Sequence, residues 1–305
     1  MAEPTLLLSI DFEDWHQLVR RAAGAAGWDE RGPALERQTG AVLGFLDELD
    51  AKATFFFLGI TVNRYPELVQ EIARRGHEAA CHGFAHERVY TQSRDEFAGD
   101  LERAAVLIEE TAGRRPVSYR APAFSINRDT PWAYEVLAEH GFRFDSSQYD
   151  SPKVPNRIGG IPDAPYRLEL ESGRELWELP VAVTRLGGRV LPIGGGSYWR
   201  LLPTAAIARG LERAAETNPF PVLYFHPYEF DPEPLHAQFA GASLASRLYA
   251  ARRSLWRNTG RGLVAKRLRA VAGRFRLASY EQAYGDIVEQ HRTRSRSLSR
   301  EGVLV

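Results

Sequence analysis

Two histidines stand four residues apart in His82-Gly-Phe-Ala-His86, and three acids crowd Asp11-Phe-Glu13-Asp14 far upstream. Imidazoles at i and i+4 meet one metal ion if the chain between them makes a helical turn, because those positions share a helix face. A carboxylate beside them completes a His₂-carboxylate set that leaves a position for water, the pattern of hydrolytic zinc sites. Taken alone the pair is a weak signal, since a chain with eight histidines yields such spacings by chance. Its context strengthens it. Thr5-Leu-Leu-Leu-Ser-Ile10 is an apolar run of the kind that forms a buried parallel strand, and it ends directly in the acids. Residues 53–58 and 78–81 read as the next strands, and His82 follows the second of them at once. Acids and histidines therefore occupy equivalent places, just past strand C-termini, where barrel enzymes carry catalytic groups. A solvated acidic loop and a core histidine form the bland alternative.

The elements that must position these residues alternate along the chain. Helical patterns cover 42–49, 66–75, 96–113 and 131–141; the second and fourth open on Pro and close on Gly. Residues 117–120, 142–144, 177–180 and 222–225 read as later strands. Such alternation predicts a parallel sheet with helical crossovers. At 305 residues and 44% hydrophobic content, the chain is large enough for one α/β barrel domain.

In this order the motifs resemble those of the NodB-homology polysaccharide deacetylases, carbohydrate esterase family 4. Ser9-Ile-Asp11-Phe-Glu13-Asp14 resembles the first motif, which supplies a base and one metal ligand. His82-Gly-Phe-Ala-His86 matches the second, the metal histidines. Arg120-Ala-Pro122-Ala123-Phe124 resembles the third, an arginine-proline-aromatic wall, and Phe144-Asp145-Ser146-Ser147 sits at the fourth. Leu223-Tyr-Phe-His226-Pro227 resembles the fifth, which carries a second catalytic histidine. The resemblance implies a distorted seven-stranded (β/α) barrel over 1–290, with 149–203 a loop-rich insertion and 241–290 a basic C-terminal extension. The usual first motif has adjacent aspartates, whereas Phe12 here separates Asp11 from Glu13 and Asp14. An Asp-x-acid branch of the family makes the first acid the base and the second the ligand. Strand alternation also turns residues 11 and 13 to one side. Asp14 stays open as the rival to Glu13.

The roles implied are these. Glu13, His82 and His86 hold a divalent cation, most simply Zn²⁺. Asp11 is the base, and Arg120 keeps it ionised and oriented. A backbone N–H near Ala123 helps stabilise the oxyanion. His226 protonates the leaving amine, oriented by Asp145. Pro122, Ala123 and Phe124 wall the substrate. Tyr198 and Trp199 join them as flat faces that suit sugar rings, with packing into the core as the alternative. Structural readings stay open for Arg120 as a surface ion pair, His226 as a buried strand-end histidine and Asp145 as a turn cap.

Residues 149–203 break the alternation. They are rich in Pro and Gly, with Gly194-Gly-Gly196 read as mobile backbone before the two aromatics. Residues 192–203 resemble a loop of the deacetylase subfamily found with exopolysaccharide export loci. From Arg247 to Arg276 basic residues crowd around Leu263, Val264, Leu268 and Val271 at helical spacing. This is either an amphipathic helix with a solvated basic face or a surface for a membrane or a lipid-linked glycan. Residues 276–279 read as a last strand and 280–289 as a closing helix, and 291–305, rich in Ser and Arg, are expected to be disordered.

Net charge is zero, which offers no argument for a nucleic-acid partner. The single cysteine, Cys81, rules out an intrachain disulfide and reads as a small buried strand residue. No basic leader precedes Leu6 and no stretch reaches spanning length, so the sequence predicts a soluble, cytoplasmic chain. The combined expectation is a metal-dependent hydrolase acting on an N-acetylated carbohydrate. It would remove the N-acetyl group of a hexosamine in a glycan or glycan precursor. Hydrolysis of another linear or cyclic amide, as in allantoinase-like relatives, is the same-fold alternative. A carbohydrate-binding protein without turnover is the other.

Overall fold

Seven parallel strands carry the molecule: β1 (Thr5–Phe12), β2 (Thr54–Phe57), β3 (Glu78–Cys81), β4 (Ser118–Tyr119), β5 (Phe144–Asp145), β6 (Glu175–Glu178) and β7 (Val222–Phe225). The computed structural model describes residues 4–150, 155–237, 243–298 and 303–304. The strands lie in the order β7-β1-β2-β3-β4-β5-β6. Beyond β6 the chain runs on parallel beside β7: Val181 bridges Val222, and the Ala182 N–H donates to Val222 O at 3.0 Å. That contact closes the expected distorted α/β barrel. Strands Tyr166–Glu169 and Ser295–Arg296 extend the sheet outside β6, and Arg276–Ala278 pairs with the start of β1.

Strand alternation divides the core. Leu6, Leu8, Ile10 and Phe12 of β1 enter the cluster under the outer helices, while Leu7 joins Phe56, Ala80, Phe144, Trp177 and Val222 in the barrel interior. With both faces covered, the strand reads as an unbroken apolar run. Helices Pro66–Arg74, Arg94–Ala112 and Trp132–Glu139 lie where the helical spacing puts them, and Leu35–Glu48 starts seven residues before the expected 42–49. Arg94–Ala112 starts in a Ser93/Glu96 capping box and stops at Gly113, whose φ is 78°.

Helix Tyr280–His291 plugs one end of the barrel. Its first N–H groups find inward-facing side chains: Tyr280 N donates to Thr54 Oγ1 at 2.8 Å and Glu281 N to Glu78 Oε2 at 2.9 Å. These acceptors sit at strand N-termini, so the plug fills the end opposite the histidines.

Two expectations are corrected here. The glycine triplet is packed backbone: a Cβ on Gly195 would overlap Tyr224 O, and one on Gly194 would lie 2.8 Å from Val222 O. Tyr224 N donates to Gly194 O at 2.7 Å. The missing side chains let this segment lie against β7 beside the closing contact. The tail, expected to be disordered, supplies strand Ser295–Arg296 and bridges Gly159–Val303 and Leu298–Leu304. Residues 299–302 and 305 lie outside the described set. Pairing with partners far upstream leaves no trace in local composition. Among the described residues, no helix is long and apolar enough to cross a membrane.

Candidate functional site

The C-terminal ends of β1, β3 and β7 bring Glu13, His82, His86 and His226 together. Glu13 Oε1 is 3.1 Å from His82 Nε2 and 3.0 Å from His86 Nε2, and Glu13 Oε2 is 3.8 Å from His226 Nε2. Ligand atoms of Glu13, His82 and His86 all lie within 4.8 Å of one another. His82 Nδ1 donates to Arg120 O at 2.7 Å, since a carbonyl only accepts, and this leaves the Nε2 lone pair aimed at the cluster. Burial alone would raise the Glu13 pKa. With the imidazoles protonated, the charge of His86, hydrogen bonds from His82 and His86 and the charge of His226 outweigh it and hold the carboxyl well below the usual range; a bound cation would stand in place of those protons, facing neutral rings.

The histidine spacing works without the helical turn that i, i+4 suggests. Residues 82–86 form a loop in which Gly83 has φ 77° and His86 φ 59°. Gly59 and Ile60 N–H groups donate to the carbonyls of Gly83 and Phe84 at 3.0 and 2.9 Å, and Phe84 N donates to Asp100 Oδ2 at 2.8 Å. Those tertiary bonds set the ring separation.

Asp14 points away from the histidines. It caps helix Trp15–Ala22, with Oδ1 accepting from His16 N at 2.9 Å. Its Oδ2 accepts from Gly32 N at 2.7 Å and from the Tyr65 hydroxyl at 2.6 Å. An aspartate just before a helix is a common N-cap, a signal the sequence already contained.

Arg120 is fully buried inside the barrel, not in a surface ion pair, and all five of its N–H groups have acceptors. Nη1 donates to Asp11 Oδ1 at 2.6 Å and Ser9 Oγ at 2.9 Å; Nη2 to the Tyr280 hydroxyl at 2.7 Å and Ser146 Oγ at 3.0 Å; Nε to Ser146 O at 3.1 Å. This fixes the Asp11 carboxylate in place.

His226 is oriented by Glu229, not by Asp145. Glu229 Oε2 accepts from the His226 backbone N–H at 3.0 Å and faces Nδ1 at 3.3 Å. Burial disfavours the charged ring, but the Glu229 hydrogen bond and the charges of Glu13, Glu229 and Asp11 outweigh it and raise the His226 pKa. Phe144 and Trp177 face the barrel interior, so the next residues, Asp145 and its register neighbour Glu178, face the opposite side. Asp145 Oδ1 accepts from Ser147 Oγ at 2.5 Å. Asp145 Oδ2 and Glu178 Oε2 are buried and without a donor, a lack that one proton shared between the two carboxyls satisfies. Burial raises both pKa values, Asp145 to about 6 and Glu178 well above its ordinary value, the latter also through the Asp145 charge. Sequence reasoning missed Glu178 and Glu229. The latter had a signal, a Glu three residues after His226 with Pro227 between, which is a capping arrangement.

Asp11, Glu13, His86 and His226 open into a cleft of about 750 Å³, walled in part by Ala123, Phe124, Arg253 and Arg257. His86, Ala123 and Phe124 have φ of 59°, 54° and 55°, a region that non-glycine residues rarely occupy. Pro122 is buried behind this wall, and Tyr198 is half-buried and not among the residues that line the cleft. Trp199 is a core residue: fully buried, it packs on Phe225 with ring centroids 5.0 Å apart and donates to Ile193 O at 2.6 Å. The basic C-terminal run is not one face either. It splits into helices Leu244–Asn258 and Leu263–Ala272. Arg261 is buried against the Tyr228 and Asp231 carbonyls, and Arg269 and Arg274 pair with Glu48 and Glu212.

Comparison with known proteins agrees with this architecture. Residues 28–144 match the family model described as polysaccharide deacetylase, and residues 146–284 match a domain of unknown function, DUF3473. Neither stretch includes Asp11, Glu13 or Asp14. A Helicobacter pylori peptidoglycan deacetylase is 30% identical over 103 residues, 34% of each chain. A Bacillus cereus peptidoglycan-N-acetylglucosamine deacetylase is 31% identical over 105 residues, 34% of this chain and 38% of the relative. The chain thus spans about a third of the length of the curated relatives it matches. A Mycobacterium smegmatis crystal structure assigned as a polysaccharide deacetylase superposes with TM-score 0.62 at 23% identity, covering 95% of this chain and 92% of that one. One from Pseudomonas aeruginosa PAO1 gives 0.58 at 15% identity, covering 94% and 91%. At these identities the two structures speak for the fold alone.

Proposed function

For a chain that carries a polysaccharide deacetylase domain over residues 28–144, we propose metal-dependent removal of the N-acetyl group from a hexosamine in a glycan or glycan precursor, with release of acetate. The observation that carries the reading is the convergence of Glu13 Oε1, His82 Nε2 and His86 Nε2 beside the Asp11–Arg120 pair. The donor set fits a divalent cation of the Zn²⁺ type, two neutral imidazoles and a carboxylate with a cleft on the open side. When bound there, such a cation polarises a carbonyl and lowers the pKa of water. Asp11, held in place by the Arg120 hydrogen bond, takes the proton from the attacking water. The Phe124 N–H is engaged by Ala121 O, which leaves the Ala123 N–H as the backbone donor for the oxyanion. His226, kept cationic by Glu229, protonates the leaving amine. The likeness of residues 192–203 to the exopolysaccharide-locus subfamily supports an exopolysaccharide precursor as the glycan. Peripheral contact of helix Leu244–Asn258 with an anionic membrane surface belongs to the same proposal. Exposed Leu244, Leu248 and Leu255 beside Arg247 and Arg252, on a helix without acids, support it, and co-sedimentation with anionic vesicles tests it.

The deciding experiment is acetate release from N-acetylated oligosaccharides, lipid-linked sugars and ureide amides, with metal-depleted and metal-restored protein. Turnover that returns with metal and is lost in Asp11→Asn supports the deacetylase. Turnover of ureides alone moves the assignment to an allantoinase-like hydrolase, and glycan binding without turnover to a binding protein. His82→Ala and His86→Ala that retain full metal by elemental analysis would overturn the ligand set.

A further inference from the structure

The acids of the cleft are matched within it: Glu13 with the histidines, Asp11 with Arg120 and Glu87 with Arg21. Among the described residues three arginines that line it are not matched, the exposed Arg88 and the half-buried Arg253 and Arg257. Arg253 and Arg257, one turn apart on helix Leu244–Asn258, line the cleft together with Glu13, His86 and His226. Positions i and i+4 share a helix face, so the two guanidinium groups address the same space. Neither has an ion-pair partner among the described residues, and the Nε of each is buried without an acceptor. A buried donor left unmade costs stability, and proteins rarely keep two side by side without a use. The helix that carries them is pinned: Arg200 Nη1 donates to the carbonyls of Trp256 and Arg257 at 2.6 and 3.2 Å. Arg257 also lies against the Tyr228 ring, 5.5 Å from its centroid.

We propose that Arg253 and Arg257 form an oxyanion subsite of the cleft that takes a carboxylate or phosphate carried by the glycan next to its N-acetyl sugar. The guanidinium fork matches both anions bidentately, which a lysine pair would not do. A uronate residue and a phosphate-bearing saccharide offer the same chemistry, three or fewer planar or tetrahedral oxygens bearing negative charge. The subsite deepens the deacetylase reading and rests on this cleft being the place where the glycan lies.

The test is calorimetric titration of the full chain, metal-depleted and zinc-loaded, with D-glucuronate, inorganic phosphate and neutral N-acetylglucosamine. The expected result is anion binding to metal-depleted protein that weakens about tenfold or more in Arg253→Gln/Arg257→Gln, the worth of a charge-assisted bond. Arg257→Lys should keep part of it. Glucuronate binding alone identifies a uronate, phosphate binding alone a phosphosaccharide, and binding of both a general oxyanion site. Anion binding that requires zinc, or that survives the double variant unchanged, overturns the subsite. So does the absence of anion binding at millimolar concentrations. Thermal melts check folding; if the double variant melts early, Arg253→Gln alone must still weaken binding. Because the titration reads binding and not turnover, acetate release without anion binding sinks the subsite alone. Anion binding without acetate release sinks the activity alone.

Discussion

Glu229→Gln keeps the size of the side chain beside His226 and removes its charge. Glu229 Oε2 now accepts from the His226 backbone N–H at 3.0 Å and faces Nδ1 at 3.3 Å. A glutamine oxygen still takes the backbone N–H, so the turn Pro227–Glu229 survives. What is lost is the difference between a charged and a neutral hydrogen bond to the imidazolium, about 1–1.5 kcal/mol by typical strengths. That is about tenfold in the equilibrium between the protonated and neutral ring. The native His226 pKa is raised, so the variant value must lie lower. The variant therefore loses the protonated ring earlier as pH rises, while on the acidic side both proteins retain it. Turnover of an N-acetyl sugar should therefore fall about tenfold at alkaline pH and little at acidic pH. An aryl acetate, whose leaving group needs no proton, should lose less. The assay is initial acetate release against pH for both substrates in the native protein, Glu229→Gln and Asp145→Asn. A uniform loss at every pH, or the same shift in Asp145→Asn, would refute the assignment of Glu229 as the group that orients and charges His226.

Glu13→Gln should empty the metal site, whereas Asp14→Asn should retain metal and lower stability by about 1–3 kcal/mol as its capping bonds weaken; elemental analysis with thermal melts separates them. Gly195→Ala places a Cβ on Tyr224 O beside the barrel seam, so it should cost about 1–3 kcal/mol or more, and an unchanged melting temperature would show that the segment is looser than the structure has it. The Asp145–Glu178 pair predicts a pH effect. Both folded pKa values are raised, so their contribution to stability is full below the unfolded value near about 4 and is lost as pH rises through about 6. Native protein should therefore melt earlier at about pH 8 than at about pH 5, and Glu178→Gln, whose amide can donate to Asp145, should flatten that slope.

Much of this protein is legible in one dimension because its signals are local. Hydrophobic runs ending in acids or histidines mark strand ends. Proline and glycine bracket helices such as Pro66–Arg74, and the family resemblance, added to the histidine spacing, groups Glu13 or its rival Asp14 with His82 and His86 as candidates. The wrong expectations share a physical cause, which is that side-chain direction depends on partners distant in sequence. One residue along a strand reverses the face, so Asp145 lies across its strand from the interior, and Glu229, on a turn after β7, takes its place beside His226. Between His82 and His86 the spacing is helical, yet hydrogen bonds from Gly59, Ile60 and to Asp100 bend the chain into a loop that brings the rings to one point. Trp199 and the glycine triplet read as a sugar platform, until the closing seam between β6 and β7 places the indole in the core and the glycines against Tyr224. Composition makes the C-terminal run one basic stripe. Only packing decides that Arg261 holds carbonyls, that Arg269 and Arg274 meet acids, and that Arg253 and Arg257 are left facing the cleft. The sequence determines which groups are available and on which kind of element; the barrel, by closing, decides which of them meet.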